Sequence, residues 1–264
     1  MRCYARPTTE QKETGEILRR YSYTQKIDGR ELICGKISIP VVLVFYTMET
    51  RNLNKKIVST NDHIIRAELR QLIEKELDKY RAQTGKQADI FEELGVSHGR
   101  ARIDIAVING VMHGYEIKSD KDTLSRLFDQ MHEYNEVFDK ITLVVGQRHL
   151  LDAIHQIPEW WGITLAKIDS DERVVFFTIR DAKQNENARV LVSMARMLWR
   201  AQAIKVLEER DAADGVRSKS RHVIHEKVAE VFKGEPDALR EHVMTALFSR
   251  GIQRVVSPLT SNGG

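Results

Sequence analysis

Cysteine is nearly absent: Cys3 and Cys34 are the only two among 264 residues. Both fall outside the segments that read as core, so neither a disulfide framework nor a cysteine-based zinc site is supported. Long apolar runs are missing as well. The longest, Ile37 to Met48 with Pro40 inside it, falls well short of the ~20 residues that span a bilayer, and no basic-then-apolar leader opens the chain. No repeat or low-complexity tract occurs. These absences set the expectation of a cytoplasmic protein with no membrane partner.

What is present is ordinary in bulk, with 42% hydrophobic and 30% charged residues and enough length for one good core plus additions. The net charge of +3 hides a division along the chain. Residues 1–60 sum to +5, residues 61–182 to −6 and residues 183–264 to +4. An acidic middle suits a cation site, and basic flanks suit a polyanion that such a middle would otherwise repel. The plainer alternative is that solvated faces differ by chance.

Periodicity divides the chain in the same places. Residues 1–60 read as a basic N-terminal extension with a strand or two around Glu31–Tyr46 and a polar stretch from Glu49 to Asn61. From His63 to Tyr80 the residues Ile65, Leu69, Leu72, Ile73 and Leu77 recur at helical spacing, with Asp62 placed to cap. A short strand is expected at Asp89–Val96, followed by a loop through Gly99. Two strands, Ala101–Ile108 and Val111–Ser119, are joined through Asn109 and Gly110, the strongest short hairpin signal. An amphipathic helix marked by Leu124, Leu127, Phe128, Met131 and Phe138 leads into the apolar run Ile141–Gly146, which reads as a buried parallel strand. Strand, helix and buried strand make one right-handed crossover. A short helix near His149–Gln156 and strands at Gly162–Ile168 and Arg173–Arg180 complete an α/β core over 61–182. Beyond it a basic helical region, 183–264, holds one long helix through Val190, Met194, Leu198 and Val206, a polar hinge at Asp211–Ser220, and two shorter helices near His222–Phe232 and Asp237–Phe248.

Within this pattern Asp104, Glu116 and Lys118 are charges written into two apolar strands. Such charges cost free energy unless they are paired, hydrogen-bonded or bound to a cation. A divalent-metal site that hydrolyses a phosphodiester accounts for all three: Asp104 and Glu116 as ligands of Mg²⁺ or Mn²⁺, the Ile117 carbonyl as a third oxygen, and Lys118 orienting water and stabilising charge. Glu116 and Lys118 share a strand face because side chains alternate with a period of two. A two-residue turn at Asn109 and Gly110 would set Asp104 opposite Tyr115 and send the two carboxylates to opposite faces. A bulge, for which Gly114 is suited, or a longer turn is therefore expected between Asn109 and Gly114.

An aspartate followed a dozen positions later by Glu-x-Lys across a hairpin, with a helix before it and a helix and buried strand after it, resembles the PD-(D/E)XK nuclease superfamily. Gln130 and Tyr134 on the following helix are similar to the Gln-x-x-x-Tyr element of the RecB-like branch. The strings Glu116 to Asp122 and Arg126 to Gln130 resemble an uncharacterised bacterial and phage group within it. The resemblance covers about residues 62–146. It implies a restriction-endonuclease-like core, with Asp104, Glu116, Lys118, Gln130 and Tyr134 as the catalytic set and a further acidic ligand that is either Glu68, on the first helix, or Glu93. The proline that often precedes the family's aspartate is replaced by Ile103.

Several residues carry plainer readings. Asp120 and Asp122 suit helix caps better than ligands. His98 and His113 read as loop histidines, and His222 with His225 lacks the neighbours of a zinc site. Trp160 and Trp161 suit core packing better than base stacking. Arg217, Lys219 and Arg221 form a basic cluster suited to nucleic acid or to a solvated helix end. The expectation is a metal-dependent nuclease acting on nucleic acid, DNA before RNA; the alternative is a catalytically silent nucleic-acid-binding or regulatory module on the same fold. Oligomeric state is not written in the sequence.

Overall fold

The computed structural model describes residues 3–13, 16–27, 30–40, 59–186 and 190–256, with side chains described over 59–97, 99–186 and 190–250. The chain divides into two compact units, Met1–Val58 and Ser59–Gly264. In the first, strands β1 (Cys3–Glu13), β2 (Glu16–Ile27) and β3 (Arg30–Pro40) form an antiparallel meander in the order β1-β2-β3. The strands expected around Glu31–Tyr46 fall partly on β3; residues 41–58 and the His98 side chain lie outside the described residues.

The second unit is a mixed α/β structure around a six-stranded sheet of order β4-β5-β6-β7-β8-β9. Its strands are β4 (Asp89–Val96), β5 (Ala101–Ile108), β6 (Met112–Lys118), β7 (Lys140–Gly146), β8 (Gly162–Ile168) and β9 (Val174–Arg180). The central strands β6, β7 and β8 run parallel, and antiparallel pairs flank them on both sides. Central placement explains why Ile141–Gly146 is buried throughout: both faces are covered, so no alternation survives.

Helix α1 (Asp62–Thr84) precedes the sheet. Asn61, not Asp62, caps it by accepting from the Ile64 N–H at 3.1 Å, and Gly85 ends it in the left-handed region at φ +64°. Ile65, Leu69, Ile73 and Leu77 recur every fourth residue and pack on Ile105, Val107, Ile117, Val144 and Ala166 of the sheet. Each buried aliphatic side chain contributes about 1.5–3 kcal/mol. Leu72, counted in that stripe from the sequence, is exposed.

Helix α2 (Leu127–Asn135) connects β6 to β7 and lies on the face that carries Glu116, opposite α1, with Tyr134 reaching Arg102 of β5 and Glu116 of β6. It is shorter than its periodicity predicts. Leu124 and Phe138 lie in the turns at its ends, and Phe128 points to solvent, 76% exposed. The residues before it are held in a tight turn, because Asp122 Oδ2 accepts from both the amide and the hydroxyl of Ser119. Asp120 is no helix cap for α2 either; its buried carboxylate accepts from Thr60 N at 2.9 Å, Thr60 Oγ1 at 2.8 Å and Arg148 N at 2.8 Å. After β7 a short helix α3 (Leu150–Gln156) leads to β8.

The C-terminal helices belong to the same compact unit: α4 (Leu191–Ala195), α5 (Arg200–Glu208), α6 (Arg221–Val231) and α7 (Pro236–Val256). The single long helix expected through Val190 and Val206 is broken between α4 and α5. Arg250, from α7, donates to the Met197 carbonyl at 2.7 Å, the acceptor a continuing helix needs for itself. Trp199, in extended conformation, then starts α5, its N–H meeting Gln202 Oε1 at 3.0 Å.

Candidate functional site

Hairpin geometry decides where the charged residues point. Pairing runs Ile108↔Met112, Val107↔His113, Ala106↔Gly114 and Ile105↔Tyr115, so the connection holds three residues, Asn109 to Val111. The longer turn, rather than a bulge, sets the register, and Gly110 supports it at φ +86°. Gly114 stays in regular pairing. Its bare Cα instead makes room for Ile103 and Phe138, whose side-chain atoms lie 3.2–3.4 Å from where a Cβ would stand. Continued one step, this register sets Asp104 against Glu116.

The ladder ends before that step. β5–β6 pairing stops at Ile105/Tyr115, and β4–β5 pairing omits Glu93/Asp104, where Glu93 takes left-handed backbone at φ +53°. Asp104 therefore lies in a gap on both sides of its strand. Its side chain fills one of them: Oδ2 accepts from the Ile117 N–H at 2.6 Å. Its carbonyl and Oδ1 receive Arg66 of α1, at 3.1 and 2.7 Å. Arg66 also meets Asp62 at 3.2 Å and Glu93 at 2.6 Å, so one guanidinium gathers three carboxylates.

Glu116 and Lys118 sit beside this cluster, both buried. Lys118 Nζ donates to Glu116 Oε1 at 2.7 Å and to Gln130 Oε1 at 2.9 Å. Gln130 Nε2 donates to Glu116 Oε1 at 2.6 Å, and the Tyr134 hydroxyl lies 2.9 Å from Glu116 Oε2 and 2.7 Å from the Arg102 carbonyl. The i,i+4 spacing of Gln130 and Tyr134 on α2 is what presents both to one carboxylate. Burial pushes the Asp104 carboxyl up to about 7, with repulsion from Glu116 adding to it and the Ile117 amide and Arg66 opposing it. Burial raises Glu116 also, against Lys118, Tyr134 and Gln130. Two carboxylates, one half-buried and one buried, that repel one another form a donor set that a hard cation would relieve.

Asp104, Glu116, Ile117, Lys118 and Gln130 line one cleft of about 630 Å³, together with Asp62, Glu93, Asp122, Arg126, Asp129 and Glu133. Acidic groups predominate on its walls. Among the described residues, no group of three or more His, Cys, Asp or Glu is arranged around one point as metal ligands. Glu68 is exposed on α1 and does not line the cleft; Glu93 does, with its carboxylate on Arg66. Arg66 and Asp62 were missed as site residues. The sequence shows an acid and a base four apart on the first turn, which marks an ion pair on the helix surface but not the reach of Arg66 to Asp104.

The other expectations fall elsewhere. His113 is half-buried and stacked on Tyr115, ring centroids 4.3 Å apart, with Nε2 2.9 Å from Thr142 Oγ1. His225 is buried with Nε2 3.1 Å from the Leu198 carbonyl, and His222 is exposed beside Glu226. Trp161 is core, donating from Nε1 to Asn135 Oδ1 at 2.9 Å. Arg217 pairs with Glu208, Lys219 is exposed, and Arg221 lines a different hollow, beside β4.

Fold and cleft together define a mixed α/β protein with a carboxylate-rich cleft at the open end of a central hairpin. Residues 59–254 match the family of Bacteriophage P4 protein cII, and the chain belongs to that family. Protein cII of Enterobacteria phage P4 is 26% identical over 169 residues, 62% of this chain and 60% of that protein. The match thus spans under two thirds of that relative's length. The family match, over residues 59–254, takes in the second unit's sheet and cleft. No solved structure matches the chain. Among the described residues, no helix is long and apolar enough to cross a membrane.

Proposed function

We propose that this cleft hydrolyses phosphodiester bonds of nucleic acid, with DNA as the expected substrate, and that the chain is a member of the PD-(D/E)XK nuclease superfamily. The observation that carries the reading is the pairing of two mutually repelling carboxylates, half-buried Asp104 and buried Glu116, with an ammonium between one of them and Gln130. Asp104 and Glu116 would hold Mg²⁺ or Mn²⁺, with the Ile117 carbonyl as a further oxygen, and the bound ion supplies an activated water and neutralises charge on the phosphate. Glu116 is kept in place by Gln130 and Tyr134, which act as positioning residues. Lys118 has two of its three N–H groups committed and one left for a water or a phosphate oxygen. Placed there, it orients the attacking water and stabilises the developing oxyanion. Arg126 and Arg102 on the cleft walls attract the substrate backbone.

Arg66 favours a second reading. A guanidinium already seated on Asp104, Glu93 and Asp62 neutralises part of the site without a metal. That arrangement suits a silent nucleic-acid-binding module on the same fold. Plasmid, linear and single-stranded substrates incubated with and without Mn²⁺ separate the two. The nuclease reading expects Mn²⁺-dependent cleavage that Glu116→Gln reduces by at least about a hundredfold, the scale of losing one electrostatic contribution to a transition state. Binding without cleavage on every substrate establishes the second reading instead.

A further inference from the structure

The broken helix between α4 and α5 opens a second hollow, of about 250 Å³, against the edge strand β4. It shares Glu93 and Gly99 with the acidic cleft, so the two are contiguous. Its chemistry is opposite. Arg196, Arg221 and Arg250 line it, beside Trp199. The Arg196 Nε is fully enclosed and meets no acceptor, although a buried guanidinium nitrogen is costly to leave unsatisfied. Arg250 lies 4.4 Å from the Trp199 ring centroid, and Trp199 is still 56% exposed, so the indole keeps surface open to a ligand. Two carboxylates, Glu92 and Glu93, stand on the same wall. Each is already held by another guanidinium, Arg70 at 2.6 Å and Arg66 at 2.6 Å, and neither offsets the hollow's positive charge.

A half-buried guanidinium whose inner Nε has no acceptor, lining a hollow next to an exposed aromatic ring, is an arrangement that takes a phosphate and the base beside it. We propose that this hollow receives a single nucleic-acid strand leaving the cleft, one backbone phosphate on Arg196 and Arg221 and the neighbouring base on Trp199. The proposal rests on reading the cleft as a nucleic-acid site, but not on cleavage there.

The test is binding of a short single-stranded oligonucleotide to the full chain without divalent metal, read by anisotropy and by tryptophan fluorescence. Binding is expected to quench the signal that Trp199→Phe removes. Arg196→Gln is expected to weaken affinity about tenfold and to lower the slope of log affinity against log salt by about one, as loss of one phosphate contact does. Arg196→Lys is expected to restore the slope. Trp199→Ala is expected to weaken binding with the slope intact. Should Arg196→Gln fail to fold, the exposed Arg221→Gln serves in its place. Unchanged affinity and slope in these variants would overturn the assignment. So would inorganic phosphate or a nucleoside monophosphate that quenches Trp199 as tightly as the oligonucleotide, which would assign the hollow to a free phosphate. Cleavage lost with this binding intact removes the nuclease reading alone, and cleavage intact with binding indifferent to Arg196 removes this one alone.

Discussion

Asp104 shows how one residue can carry both a fold and a chemistry. Its carboxylate replaces a missing ladder partner for Ile117 while facing Glu116 across the same opening. The charges in apolar strands singled out Asp104, Glu116 and Lys118 in the sequence because burying a charge is expensive, and helical spacing added Gln130 and Tyr134. Arg66 was not legible, since nothing in a helix pattern says which strand gap its guanidinium will fill. Glu68 was misleading for the related reason that a helix position one turn away faces solvent. His113 gives a test at this scale. Burial, with Lys140 nearby, pulls its imidazole down to about 3 from the ordinary 6.5. The unfolded chain takes up the proton first as pH falls. The stability that comes from keeping the ring neutral is therefore complete above pH 6.5 and lost as pH drops toward 3. Denaturant unfolding at pH 7 and pH 4.5 is expected to show the parent losing about 2 kcal/mol more than His113→Gln. Equal losses would remove the buried-neutral account of His113.

Among the elements, those with one strong local cause were readable. α1 has a four-residue apolar period, β7 an unbroken apolar run, and the hairpin an Asn-Gly pair. Elements whose limits are set by distant partners were not: α2 is cut short by the Ser119–Asp122 turn, and the α4–α5 break depends on Arg250, more than fifty residues later. The attachment of α7 is of this second kind. Arg240 donates to Asp139 Oδ2 through Nε at 3.0 Å and Nη2 at 2.7 Å, and Nη2 also reaches the Gly110 carbonyl in the hairpin turn. Asp139 is 1% exposed and also accepts from the Met112 N–H. Arg240→Leu leaves that carboxylate buried without its cation. The expected loss by chemical denaturation is about 3–5 kcal/mol, with part of it recovered in the double variant Asp139→Asn/Arg240→Leu. A loss under about 1 kcal/mol would mean the pair is not what seats α7 on the hairpin.

For the whole molecule, the second unit begins at Ser59 and the family match begins at the same residue. Periodicity alone marks a change of pattern near residue 182, because it reports local repeats and not which helices share a core with the sheet. The proposed function depends on one collective property of this unit: a sheet that opens at the hairpin's end and turns two carboxylates into a common cleft beside a basic hollow. Calorimetric titration of Mn²⁺ into the full chain, compared with Asp104→Asn and Glu116→Gln, addresses it most directly. The account predicts saturable binding by the parent, abolished in both variants while each retains a cooperative unfolding transition. Heats of binding unchanged by either substitution, or absent from the parent, would contradict it.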